Sequence, residues 1–149
     1  MMNYEGNGAV QNCVTARHLF KVIGETSPSV LSLSDAALSY YTRGYYEHAL
    51  SLYAQLAGLG LEAAASNAAY IADLGVSVDA GLQLSQCQGV AKGFLRQSYD
   101  QGNMRSGVKL GDYYYYGKAD LPVDMQKAAE LYTVARYPRV THIHLSTWY

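Results

Sequence analysis

The stretch ALSLYAQLAGLG, residues 49–60, decides how this chain folds because its pattern of small and large apolar residues occurs again. Ala49 is followed by a leucine three positions on and a tyrosine four positions on. Large apolar residues follow Ala91 and Ala128 at the same two positions, and the spacings between the three alanines are 42 and 37 residues. A period of roughly 20–50 residues is typical of stacked helical repeats, so we predict an all-α solenoid.

Each repeat is predicted to be an antiparallel pair of helices, a first and a second. Four first helices open around the alanines of this register, which are Ala16, Ala49, Ala91 and Ala128. The three second helices are predicted at about residues 30–42, 62–74 and 105–116. Small residues at matching points, such as Ala69 and Gly111, would let the helix backbones approach closely. The last repeat is predicted to lack its second helix, because the pattern fails after Arg136. The chain then holds about three and a half repeats.

Outside this register, the sequence predicts three less regular segments. Residues 1–12 are polar and contain glycine, and we expect them to be flexible. The solenoid itself covers residues 13–137 and carries an inserted loop at 75–88, where the register breaks. Residues 138–149 have no helical period and are predicted to be an irregular tail. Asp124, four residues before Ala128, suits the N-cap of the last helix.

Composition excludes several classes of protein. Only 15% of the 149 residues are charged and the net charge is −1, so no basic field favours nucleic acid. The amino terminus lacks the pattern of a signal peptide, and no apolar run is long enough to span a bilayer. Cys13 and Cys87 could form one bridge, but two buried free thiols are the favoured interpretation.

No catalytic, cofactor-binding or metal-binding constellation is predicted, and we expect no enzyme activity. The G-x-G-x-x-A match at residues 58–63 follows a predicted helix rather than a strand, so a helix-to-helix turn is favoured over a dinucleotide site. His142 and His144 have no nearby ligand to complete a metal site. No serine lies in a G-x-S-x-G motif.

The fifteen tyrosines suggest where such a chain would bind other molecules. Aromatic side chains on a groove can bind peptide or stack on sugar, although packing between repeats is the favoured alternative for any single one. The candidate protein-binding surface comprises Tyr45, Tyr46, Asp112, Tyr113 and Tyr116.

The chain resembles the Sel1-like repeat family, a relative of the tetratricopeptide repeat. The motif from Gly117 through Asp124 and Ala128 to Leu131-Tyr132 is similar to the junction between two such repeats. Other segments resemble, in the same order, the middle repeats of the Sel-one-L/Hrd-three adaptors. These segments are residues 8–10, 19–21, 53–60, 65–73 and 109–113.

This resemblance implies a right-handed stack of helix pairs and a non-catalytic adaptor. Members of that group lie on the lumenal side of the endoplasmic reticulum, bound to a membrane ubiquitin ligase. They recruit misfolded proteins for degradation, so the implied partners are the ligase's membrane subunit and misfolded clients. The alternatives are a generic interaction module in cytosolic or bacterial signalling, or a regulator of a partner enzyme. Self-association through the incomplete last repeat is also predicted.

Overall fold

The computed structural model describes residues 12–75 and 84–136, which form seven α-helices and no strand. Each helix packs mainly on its neighbours in the chain, as in a helical solenoid, and the predicted all-α fold class is confirmed. The helices are α1 (Cys13–Glu25), α2 (Pro28–Thr42), α3 (Tyr46–Gly58), α4 (Glu62–Asp73), α5 (Leu84–Asp100), α6 (Met104–Tyr116) and α7 (Met125–Arg136).

The four alanines of the shared register all lie in the core, as the repeat period predicts. Ala49 and Ala91 are completely buried, and Ala16 and Ala128 are at most 4% exposed. In α1, by contrast, the leucine and phenylalanine of the register remain exposed. They do so because α1 makes little contact with α2, so the first repeat is packed less completely than the others.

Glycine residues make the turn from a first helix to the second helix of the same repeat. Gly60 and Gly102 have φ angles of +92° and +104°, a region that residues with a side chain rarely adopt. The G-x-G-x-x-A match is such a turn, because α3 ends at Gly58 and α4 begins at Glu62. The prediction of a helix-to-helix turn at this motif is therefore confirmed.

Two glycines of α6 allow a close approach to the helices on either side. A Cβ added at Gly107 would lie 2.7 Å from ring carbons of Tyr99 on α5. A Cβ added at Gly111 would lie 2.6 Å from Cε1 of Tyr132 on α7. Carbon atoms in good contact are about 3.5–4.0 Å apart, so both rings occupy space that a side chain on α6 would need.

A polar network joins the starts of α4 and α6 to the end of α5. Glu62 accepts hydrogen bonds from the Ser98 hydroxyl at 3.1 Å and from the side-chain amide of Asn103. The Ser106 hydroxyl donates to Ser98 at 3.0 Å, and the Ser106 amide donates to the capping oxygen of Asn103 at 3.2 Å. Because buried polar groups need partners, this network fixes how the three helices align.

The predicted inserted loop, residues 75–88, extends too far toward its carboxyl end. Helix α5 begins at Leu84, so residues 84–88 are helical. Cys87 lies one helical turn before Ala91 and is 1% exposed, so the buried stripe starts a turn earlier than the alanine register indicates. The thiols are both free, but the predicted burial is wrong for Cys13, which is exposed.

The ends of the chain are only partly described. Asn12 caps α1 by accepting the Thr15 amide at 3.0 Å, whereas the rest of the predicted flexible segment lies outside the described residues. The tail at 138–149, with its two histidines, also lies outside them. Asp124 accepts the Lys127 amide at 2.9 Å, which confirms its predicted capping role. None of the described helices is long and apolar enough to cross a membrane.

Candidate functional surface

An aromatic cluster lies where α2 turns into α3. The Tyr40 ring stacks on His48 with centroids 5.3 Å apart, and it meets Tyr45 edge to face at 6.3 Å. The Tyr41 and Tyr46 rings are 5.5 Å apart. All but Tyr41 are exposed, and Tyr41 is half-buried, so the cluster presents ring faces and phenol groups to a partner.

Tyr70 on α4 continues this cluster toward the middle of the stack. Its ring meets Tyr41 edge to face at 6.4 Å, and its side chain is 54% exposed. A hydrogen bond between the two phenols, together with burial, raises the pKa of Tyr41. The two tyrosines therefore link α2 to α4 on one face.

Two recesses flank Tyr70. The first, of about 170 Å³, lies between α2 and α4 over α3. The second, of about 110 Å³, lies between α4 and α6 over α5. Tyr70 lines both, so we treat them as one surface, the second-helix groove. The first recess is lined by Leu38, Tyr41, Tyr53, Asn67, Tyr70 and Ile71.

The second recess carries charge, which the first does not. Arg105 and Lys109 on α6 line it and are exposed, and the half-buried Asp73 at the end of α4 lines it as well. One oxygen of Asp73 already accepts a hydrogen bond from the Tyr113 hydroxyl at 2.7 Å. The groove therefore has an aromatic end and a charged end, and the charged end contains two cations and one hydrogen-bonded carboxylate.

The structure divides the predicted surface residues between two places. Tyr45 and Tyr46 belong to the aromatic cluster at the amino-terminal end of the groove. Asp112 and Tyr116 lie on α6, which packs between α5 and α7. Tyr113 is 1% exposed, so its predicted place on an outer surface is wrong. Its ring fills the core because its hydroxyl finds a carboxylate partner on α4, which satisfies the buried phenol.

The two tyrosines bound to carboxylates have structural roles. Burial, and then the hydrogen bond to Asp73, raise the pKa of Tyr113 far above 10. Tyr132 donates to Asp112 at 2.7 Å, and burial followed by that bond raises its pKa to about 12. Neither phenol ionises near neutral pH, so both bonds persist and tie α6 to its neighbours.

Comparison with known proteins identifies the family of this chain. No protein-family model matches it. It is 35% identical over 117 residues to the ERAD-associated E3 ubiquitin-protein ligase component HRD3B of Arabidopsis thaliana. It is 34% identical over 126 residues, 84% of its length, to protein sel-1 homolog 2 of Homo sapiens. A Sel1-like repeat-containing protein of Schizosaccharomyces pombe is 30% identical over 143 residues. The chain belongs to the Sel1-like repeat family.

A solved structure supports the fold of this Sel1-like repeat protein. A protective antigen of uropathogenic Escherichia coli with an SLR fold superimposes with a TM-score of 0.58 and 19% identity, covering 91% of the chain and 28% of the antigen. The HRD3B match covers 70% of the chain but only 18% of HRD3B. The chain thus spans under a fifth of the length of that relative and about a fifth of the yeast one, of which 21% is covered.

The middle of the groove in this Sel1-like repeat protein has no local signal in the sequence. Tyr70 lies in the alanine-rich second helix, where the register draws attention to small residues rather than to the tyrosine beside them. Arg105 and Lys109 are also separated from it by more than thirty residues of sequence. The alternation of the second helices α2, α4 and α6 brings them to one face. Within the described residues, no three metal-ligating side chains cluster.

Proposed function

We propose that this chain is a non-catalytic scaffold that binds other proteins as part of the degradation machinery of the endoplasmic reticulum. In this role it lies on the lumenal side, contacts a ubiquitin-ligase complex and helps to recruit misfolded proteins. The observation that carries the proposal is the similarity to HRD3A and HRD3B, at 36% and 35% identity over 70% of the chain. Both of those proteins are named as components of an ERAD-associated ligase.

The shape of the molecule supports a binding role. A solenoid presents an extended surface whose side chains vary while the backbone repeats. The aromatic cluster and Tyr70 add exposed tyrosines to that surface. Tyrosine is enriched in protein interfaces because it offers contact area with little loss of side-chain freedom. These features suit a protein that holds others in place.

The proposal is tested by expressing the epitope-tagged chain in Arabidopsis cells with an added leader that directs it to the endoplasmic reticulum. Affinity purification and quantitative mass spectrometry then measure recovery of the ligase complex that contains HRD3A or HRD3B. The matched control is the E. coli antigen of the same fold, carrying the same tag and leader. A second control is the chain without the leader.

We expect the chain with the leader to enrich subunits of that ligase at least about tenfold over the fold-matched control. A co-expressed misfolded reporter protein should be enriched to the same extent. Equal recovery with the E. coli antigen would refute the proposal, because the fold alone would then explain the binding. Enrichment of the ligase only with the chain that lacks the leader would refute the lumenal location.

A further inference from the structure

The second-helix groove combines a recess lined by three tyrosines with a recess lined by two cations and a carboxylate, and this combination selects among partners. We propose that the groove binds an extended segment of another polypeptide, placing an aromatic or large aliphatic side chain in the first recess and an acidic side chain against Arg105 and Lys109. This inference rests on the proposed function, since it names the kind of protein segment that the scaffold would hold.

The first recess has the size and lining for one aromatic side chain. Its volume is about 170 Å³. A cavity of about 150 Å³ lined by apolar side chains is large enough to hold benzene. The rings of Tyr41 and Tyr70 form its walls, and Leu38, which is 52% exposed, forms its rim. An incoming ring can meet both tyrosines edge to face, an arrangement that aromatic pairs prefer.

The second recess has the charge for an anion. Arg105 and Lys109 are four residues apart on α6, so their side chains lie on the same face of the helix. Among the described residues neither makes an ion pair or a side-chain hydrogen bond. Like charges at this spacing destabilise a helix slightly, and a bound carboxylate would remove that repulsion. One oxygen of Asp73 accepts a hydrogen bond from Tyr113, and this carboxylate forms no ion pair with either cation, so the lining of the recess carries two positive charges and one negative charge.

The geometry sets the spacing of the two side chains in the partner. The recesses lie on opposite sides of α4, so they are separated by about one helix spacing, roughly 10 Å. A segment in the extended polyproline II conformation advances about 3.1 Å per residue with three residues per turn, so side chains three residues apart lie on one face, roughly 9 Å from each other. The two side chains should therefore be about three residues apart, with an apolar residue at one position and an acidic residue at the other.

Fluorescence polarisation of labelled peptides against the purified chain tests this inference. The reference peptide is a flexible serine- and glycine-containing chain with phenylalanine and glutamate three residues apart. Three peptides vary it by replacing phenylalanine with alanine, by replacing glutamate with glutamine, and by moving glutamate to an adjacent position. A free oligosaccharide provides a separate arm, because aromatic recesses can also bind sugar.

Protein variants assign the two recesses. Tyr70→Ala removes the wall shared by the recesses, and Tyr115→Ala, at a tyrosine that is 43% exposed on α6 and lines neither recess, is its matched control. The double variant Arg105→Glu/Lys109→Glu reverses both cations. Lys21→Glu/Arg96→Glu reverses two cations outside both recesses, on α1 and α5, and matches that change in net charge. Circular dichroism confirms that each variant keeps its helices.

We expect the reference peptide to bind, and Tyr70→Ala and the double charge reversal each to weaken it by about tenfold or more, while the two controls change it less than about twofold. The preference for glutamate over glutamine should shrink as salt rises, because exposed charges are screened. The inference is overturned if no peptide binds, if glutamine replaces glutamate without loss, if the groove variants match their controls, or if only the oligosaccharide binds.

The two experiments fail separately. If the intact chain recovers the ligase complex and the groove variants recover it equally well, the proposed function stands but the groove is not its site. Peptide binding with the predicted dependence, but without recovery of any ligase subunit, would keep the groove as a peptide site and remove the assignment to that machinery.

Discussion

Replacing Gly111 with alanine would place a methyl group where the Tyr132 ring already lies, and so tests the packing of α6 against α7. The added Cβ would be 2.6 Å from Cε1 and 3.0 Å from Cδ1 of that ring. The ring cannot move freely, because its hydroxyl is bonded to Asp112 at 2.7 Å. The methyl group therefore forces the ring, or the whole of α7, to shift.

Two opposing effects set the size of the change. Alanine is favoured over glycine in a helix interior by about 1 kcal/mol. Overpacking a well-filled site costs about 1–3 kcal/mol. We therefore expect Gly111→Ala to lower the free energy of unfolding by about 1 kcal/mol, within a range of about 0–2 kcal/mol. The matched control is Gly93→Ala in α5, where nothing lies within 4 Å of the added Cβ. That variant should raise the free energy of unfolding by about 0.5–1 kcal/mol.

Urea unfolding followed by far-ultraviolet circular dichroism measures both variants under the same conditions. A third protein, Tyr132→Leu, removes the ring, and on this background Gly111→Ala should become as stabilising as Gly93→Ala. The reasoning is refuted if the two alanine variants change stability equally in the wild-type background. It is also refuted if the loss at Gly111 persists once the ring is gone.

Three further predictions concern the polar bonds and the end of the stack. Tyr113→Phe should lower stability by about 1–2 kcal/mol at pH 7 through loss of the bond to Asp73. Because the pKa of Tyr113 is raised in the folded state, the free energy of unfolding of the wild type should fall as the pH rises above 10. In urea unfolding, this fall should be less steep for Tyr113→Phe than for the wild type, by up to about 1.4 kcal/mol per pH unit. Asn103→Ala should lower the free energy of unfolding, measured in urea, by about 2–4 kcal/mol, because it removes a helix cap and a hydrogen bond to Glu62. The control Asn12→Ala removes only the cap of the sparsely packed α1 and should lower it by less than about 1 kcal/mol. Finally, Val123 just before α7 and Met125 at its start are 58% and 64% exposed, so the chain should self-associate through this end of the described stack, and light scattering that showed a monomer would contradict this.

The sequence predicts the stack well because its signal is local. The alanine register locates every first helix, since a small residue is required wherever two helix backbones cross closely. The turns follow from Gly60 and Gly102, whose left-handed backbone is a property of the residue itself. Helix α5 begins earlier than the alanine register indicates, because Cys87 is a small apolar residue of the same buried stripe.

The surface is less predictable because it depends on which helices meet. The exposure of Tyr45 and Tyr46 is predictable, because a short segment is enough to indicate the exposed start of a helix. The burial of Tyr113 depends on a carboxylate forty residues away, Asp73, and no local pattern contains that pairing. The groove joins Tyr70 to Lys109 only because α4 and α6 both lie on the second-helix face of the stack.

The packing of each helix on the one just before it has a consequence for synthesis. A growing chain that leaves the ribosome can cover the apolar stripe of each new helix almost at once, because the surface that receives it has already emerged. Most contacts join helices that are adjacent in the sequence, and proteins dominated by such local contacts fold quickly. During synthesis such a chain exposes little apolar surface at any time, in contrast to a β-sandwich of equal length.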